Sequence, residues 1–141
     1  MYSANLIAKY IIKQCSECKK PISNLKLQKI LYFVQAEFLV TTHKPCFEEK
    51  IEAWDFGPVV PLVYNKYKIF GGAIIPYIKT TSIFPFSKKE KELIDGIIEQ
   101  CIKYSASELT ILSLQKPWEE ASKQSIKTIS TASIMDYYTK L

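Results

Sequence analysis

The stretch Asn24-Leu-Lys-Leu-Gln-Lys-Ile-Leu-Tyr-Phe-Val-Gln-Ala-Glu-Phe-Leu-Val40 decides the fold. At about 100° per residue, Leu27, Ile30, Leu31, Val34 and Phe38 fall on one face, and Leu25, Tyr32, Ala36 and Leu39 on another. Lys26, Lys29 and Glu37 share the polar side, while Gln28 and Gln35 lie between the two apolar faces. Such a helix is central and packed on two sides. An unpaired buried amide is costly, so the glutamines must be hydrogen-bonded inside the fold or open to a groove. Ser23 or Asn24 is the expected cap.

Outward from this helix, the spacing of Ala4, Ile7, Ala8, Ile11 and Ile12 predicts a helix from Ser3 to about Lys13, with Cys15 to Ile22 breaking it and Pro21 as a stop. Ile51 to Phe56 alternates only weakly as a strand. Pro58 suits a first helical turn, predicting a helix to about Phe70 with Val59, Leu62, Val63, Tyr67 and Phe70 inward and Gly71-Gly72 as its stop. Residues 73–86 read as extended. Ser87 with Glu90, and Ser105 with Glu108, form capping boxes for two further helices, the first carrying the stripe Leu93, Ile94, Ile97, Ile98, Cys101. Pro117 starts one more turn, and Ser133 caps a last helix over Ile134–Thr139. The expected fold is mainly α: one compact helical domain over residues 1–141, with at most a short β-hairpin or extended segments.

Composition agrees with one such domain. The chain has 141 residues, is 48% hydrophobic and carries a net charge of +5. This length buries roughly 68–70% of the surface an unfolded chain exposes, which excludes a disordered or low-complexity class. All 19 basic residues are lysine. Without arginine's planar fork, base-specific readout of nucleic acid is disfavoured. The lysines are also dispersed. Their densest group, Lys88, Lys89 and Lys91, is diluted by Glu90 and Glu92. No apolar run of membrane-spanning length occurs, and Met1 to Ala8 lacks the features of a signal peptide, so a cytoplasmic protein with reduced cysteines is expected.

The candidate chemical sites are weak. Cys15, Cys18, His43 and Cys46 could ligate zinc, but the long helix lies between the two pairs, and ligands must stand about 2.0–2.3 Å from one metal. A redox role for Cys15 and Cys18 is disfavoured because the pair ends a helix. His43 and Cys46 could form a nucleophile pair, yet no acid is placed to orient the ring. Glu48, Glu49 and Glu52 read as a solvated loop rather than a metal cluster. No catalytic residue, metal or cofactor is expected.

Four blocks remain: Asn24–Phe33, Glu52–Pro61 with Val63 and Tyr64, Gly71, and Pro117-Trp118. In this order, after a helix like Ala8-Lys-Tyr-Ile-Ile12, and with Trp54-x-x-Gly57-Pro58-Val59 at their centre, they resemble the Panacea domain, the family of SocA-like antitoxins and of phage-associated proteins related to GepA. The resemblance covers nearly the whole chain. Many members carry a Thr-His pair where this chain has Ser113-Leu114, so no role of that histidine carries over. The resemblance implies a non-enzymatic antitoxin that binds a cognate toxin; at least one relative presents its toxin to a protease. The partner surface is expected around the second helix and the Gly57-Pro58 turn, at Lys26, Gln28, Lys29, Tyr32, Gln35, Trp54, Gly57, Pro58, Val60, Pro61, Tyr64 and Trp118. A nucleic-acid-binding or regulatory phage-associated protein is the alternative.

Overall fold

In the computed structural model, which describes residues 1–79 and 82–141, the long apolar helix is the axis of the fold. It is α2 (Asn24–Thr42), and it packs against α1 (Ala4–Glu17), α3 (Pro61–Tyr67), α4 (Lys88–Cys101), α5 (Ala106–Ser113) and α7 (Thr131–Thr139). The short α6 (Lys116–Ser122) closes the far side. Three short antiparallel strands, β1 (Ile51–Trp54), β2 (Gly57–Val59) and β3 (Thr128–Ile129), form a sheet in the order β2-β1-β3. The protein is mainly α, as its periodicity predicts. The core runs along α2, where Leu27, Ile30, Leu31, Tyr32 and Val34 are fully buried against Ile7, Ile11, Ile94 and Ile134.

The capping chemistry behaves as the sequence implies. Ser87 Oγ accepts from the Glu90 N–H at 3.1 Å while Glu90 Oε1 accepts from the Ser87 N–H at 2.8 Å. Ser105 and Glu108 repeat the arrangement at 3.1 and 2.8 Å. Ser3 and Ser23 cap α1 and α2. Each bond satisfies an amide that the first turn would leave unpaired.

Four boundaries differ from the sequence reading. Helix α1 continues to Glu17, because the chain reverses not at Pro21 but at Lys19, which takes φ 61°. A lysine in this left-handed region carries no sequence mark of a helix end. Pro58 lies in β2, not in a helix. As an edge strand β2 tolerates its missing N–H, and the helix starts instead at Pro61, so Leu62 turns outward and is exposed. Ser130, not Ser133, caps α7, accepting from the Ser133 N–H at 3.1 Å. Strand β3 is only two residues long and exists through its pairing with Ile51 and Glu52, which no local pattern announces. Residues 73–79 and 82–86 form no helix, and their one β-bridge joins Ile74 to Ser23; Thr80 and Thr81 lie outside the described residues.

Candidate partner-binding site

The polar residues of α2 point inward and hold the following segment. Gln35 Oε1 accepts from the Cys46 and Phe47 N–H groups at 2.8 and 3.2 Å, and its Nε2 donates to the Phe47 carbonyl at 2.8 Å. The side-chain amide thus serves a non-helical stretch as a neighbouring strand would. One turn from the N-terminus, Gln28 Oε1 accepts from the Val60 N–H at 2.9 Å and its Nε2 donates to Asn24 Oδ1 at 2.9 Å. Asn24 Nδ2 in turn donates to the Tyr64 carbonyl at 3.1 Å. Of the two options left open for the glutamines, the structure takes the first: both are satisfied inside the fold.

Lys29 departs from the polar side on which its spacing places it. It is fully buried, and its Nζ donates to the Pro58 carbonyl at 2.8 Å while lying 5.4 Å from the centroid of the Phe56 ring. Burial lowers its pKa from 10.5 to about 7, since desolvation disfavours the charged form. Gly57 closes over it with φ 103°. A Cβ there would stand 2.9 Å from Ser113 Oγ and 3.0 Å from Lys29 Nζ. Only glycine combines that backbone with that approach.

The β1–β2 hairpin held in this way, turning at Asp55-Phe56, presents an aromatic cluster. Trp54 meets Tyr64 edge-on at 5.0 Å and Phe56 at 5.6 Å. Trp54 Nε1 donates to Glu52 Oε1 at 2.9 Å. From α6, Trp118 Nε1 donates to the Trp54 carbonyl at 2.8 Å and so fixes the hairpin from the opposite side. Trp54, Phe56, Tyr64 and Trp118 are half-buried, with one part packed and one part facing solvent. Rigid aromatic groups in this state are favoured interface anchors.

The twelve residues expected at the partner surface therefore divide. Trp54, Pro61, Tyr64, Trp118 and, in the first turn of α2, Lys26 reach solvent in part. Gln28, Lys29, Tyr32, Gln35, Gly57, Pro58 and Val60 are buried. Their side chains cannot meet a partner of the folded chain; they hold the surface from behind. Lys26 Nζ donates to the Tyr104 carbonyl, and the Tyr32 hydroxyl donates to Gln115 Oε1 at 2.8 Å, both away from the hairpin. Phe56, Asn24 and Ser113 belong to the site and escape the sequence reading. Phe56 and Asn24 carried a signal, their places inside the Trp54–Val59 and Asn24–Phe33 blocks. Leu114, at the position where many Panacea members have histidine, is partly exposed, while Ser113 beside it is buried.

The remaining candidates are dispersed. His43 forms the left-handed end of α2 with φ 60°. Cys15, Cys46 and Cys101 are buried free thiols whose pKa values burial raises to about 12, 12 and 11, which keeps them protonated and poorly nucleophilic. Among the described residues no three histidine, cysteine or carboxylate side chains gather as a metal site would need, and no helix is long and apolar enough to cross a membrane.

The site is thus a central helix whose buried amides and lysine fasten an aromatic hairpin. Residues 27–119, from Leu27 in the first turn of α2 to Glu119 in α6, match the family model of the antitoxin SocA-like, Panacea domain. Antitoxin SocA of Caulobacter vibrioides (strain NA1000 / CB15N) is 30% identical, over 82% of this chain and 68% of that protein. No solved structure matches significantly. The chain belongs to the SocA-like antitoxin, Panacea domain family.

Proposed function

We propose that this protein is an antitoxin that neutralises a cognate toxin by direct binding, and that the hairpin face of Trp54, Phe56 and Tyr64, backed by Trp118, is its contact surface. Family membership carries the reading. The aromatic face supports its location, because large aromatic side chains already held in place lose little entropy on binding. The buried Gln28, Lys29 and Gln35 preorganise that face and make no contact with the toxin.

The test is co-expression with the product of the adjacent gene. That product should arrest growth alone, and this protein should restore growth and co-purify with it. Tyr64→Ala and Phe56→Ala should weaken the complex by about tenfold or more each, as interface anchors do. A neighbour without toxicity, or a toxin neither rescued nor bound, would refute the proposal. The toxin's half-life separates two modes: accelerated turnover in the presence of this protein assigns delivery to a protease, and unchanged turnover assigns blocking. Nucleic-acid binding is less well supported, since Lys13, Lys91, Lys116, Lys123 and Lys140 are each engaged with a carboxylate one helical turn away.

A further inference from the structure

On another side of α1, sharing no side chain with the aromatic hairpin face, the chain forms an apolar groove of about 320 Å³. Ile12, Tyr67, Phe70, Ile75 and Phe84 line it. Part of its wall comes from residues 75–78 and part from Ser82 and Phe84. Beside the first part, Ser23 bridges Ile74, and the Ile75 N–H donates to the Ile22 carbonyl at 2.8 Å. In the second, Phe84 and Phe86 stack at 5.8 Å and meet the Tyr10 ring edge-on at 5.2 and 5.0 Å. The groove has a size that accepts one or two large side chains.

Its rim is basic. Lys9, Lys13 and Lys66 line the mouth; Lys13 pairs with Glu17 at 3.0 Å, while Lys9 and Lys66 have no acidic partner among the described residues. The pKa of Lys66 is lowered, first by desolvation and then by the charge of Lys9. Two like charges held at one mouth gain when a carboxylate enters between them. Ile78, which lines the groove, is 76% exposed, and Ile69, Ile74 and Ile83, each next in sequence to a lining residue, are exposed as well. Neighbouring exposed apolar groups beside a concavity mark a contact surface rather than ordinary solvent-facing positions.

We propose that this groove is a second docking surface, which takes a short segment of a partner protein carrying an apolar anchor side chain flanked by carboxylates. The apolar lining accepts the anchor, and Lys9 and Lys66 accept the flanking charges. An anionic membrane would also answer to lysine beside isoleucine, but a bilayer surface cannot fill a concavity, whereas an inserted side chain can. The surface is independent of the toxin-binding reading and stands or falls separately.

The test is selection of a random short-peptide display library on the full chain. Enriched peptides should combine an aromatic or leucine side chain with neighbouring aspartate or glutamate. A fluorescent copy of the most enriched peptide should bind more weakly as salt rises. It should lose about tenfold or more in affinity to the Lys9→Glu/Lys66→Glu double variant, as charge reversal at a rim does. Ile78→Glu, at the exposed mouth, should weaken it as well, while Phe56→Ala should leave it unchanged. These substitutions fall on exposed or hairpin positions, and circular dichroism verifies that each variant is folded. The proposal is overturned by absence of enrichment, by enrichment of neutral or basic peptides, or by peptides that bind the double variant as tightly as the wild type. It is equally overturned if the exposed patch instead binds phosphatidylserine vesicles while ignoring the peptides, or if it drives self-association that Ile78→Glu abolishes.

Discussion

Lys29 carries its charge into the interior with the Pro58 carbonyl and the Phe56 ring beside its ammonium, and this has a measurable sign. Its folded pKa, about 7, lies below the unfolded value of 10.5, so between those values the unfolded chain holds more protons. Stability must therefore rise with pH across that window. The buried thiols work the other way once the pH passes 9, because their folded pKa values are raised. The clean interval is pH 7 to about 8.5, where chemical denaturation should show a gain of roughly 1 kcal/mol per pH unit. In Lys29→Met that slope should flatten; an unchanged slope would show that Lys29 does not titrate there. Gly57, which covers the same ammonium, gives a second expectation at this scale. Gly57→Ala must place a methyl group 2.9 Å from Ser113 Oγ at φ 103°. A loss of about 2–3 kcal/mol is expected in the same assay.

At the scale of elements, α2 acts as a template for the chain that follows it. Gln35→Leu preserves size but strands two N–H groups and one carbonyl of Cys46 and Phe47, so it should cost about 3 kcal/mol. Its local mark should be faster amide hydrogen exchange across residues 46–60, with α4 and α5 less affected. Legibility in the sequence also divides by element. The helices with serine caps and a regular apolar stripe are readable, because capping boxes and helical spacing are local properties. The place of Gln28 and Gln35 between two apolar faces allows burial or a groove, and only the backbone groups of Phe47 and Val60 that meet them decide for burial. Lys29 does not follow, since its position on the wheel is polar and only the hairpin crossing above it removes it from water. Pro58 misleads for the same reason: proline suits a helix start and an edge strand alike, and the choice is made by β1. Seven of the twelve residues expected at the partner surface are thereby found buried, and Phe56 joins the site from inside a block the sequence already singles out.

Over the whole molecule, net charge and ion pairs matter little to cohesion. The five lysine–carboxylate pairs are all i, i+4 contacts on helix surfaces. Each contributes a few tenths of a kcal/mol and is weakened by salt, while salt also relieves the repulsion of a +5 chain. Thermal unfolding at about 1 M salt should differ from that at low salt by less than about 5 °C. A larger fall would show that charge, not the apolar core along α2, holds the domain.

The order in which the ribosome delivers these parts adds a consequence. Gln28, Lys29 and Gln35 leave the exit tunnel before the residues they hold, so the 46–60 segment emerges to partners already synthesised. Ser113, Trp118 and Thr128–Ile129, which close the hairpin from its other sides, come last. A nascent chain stalled before Ser113 has the aromatic side chains but not their clamp. The aromatic face becomes rigid only once Trp118 and Thr128–Ile129 have been made, and chains truncated before Trp118 should present it in a loose form.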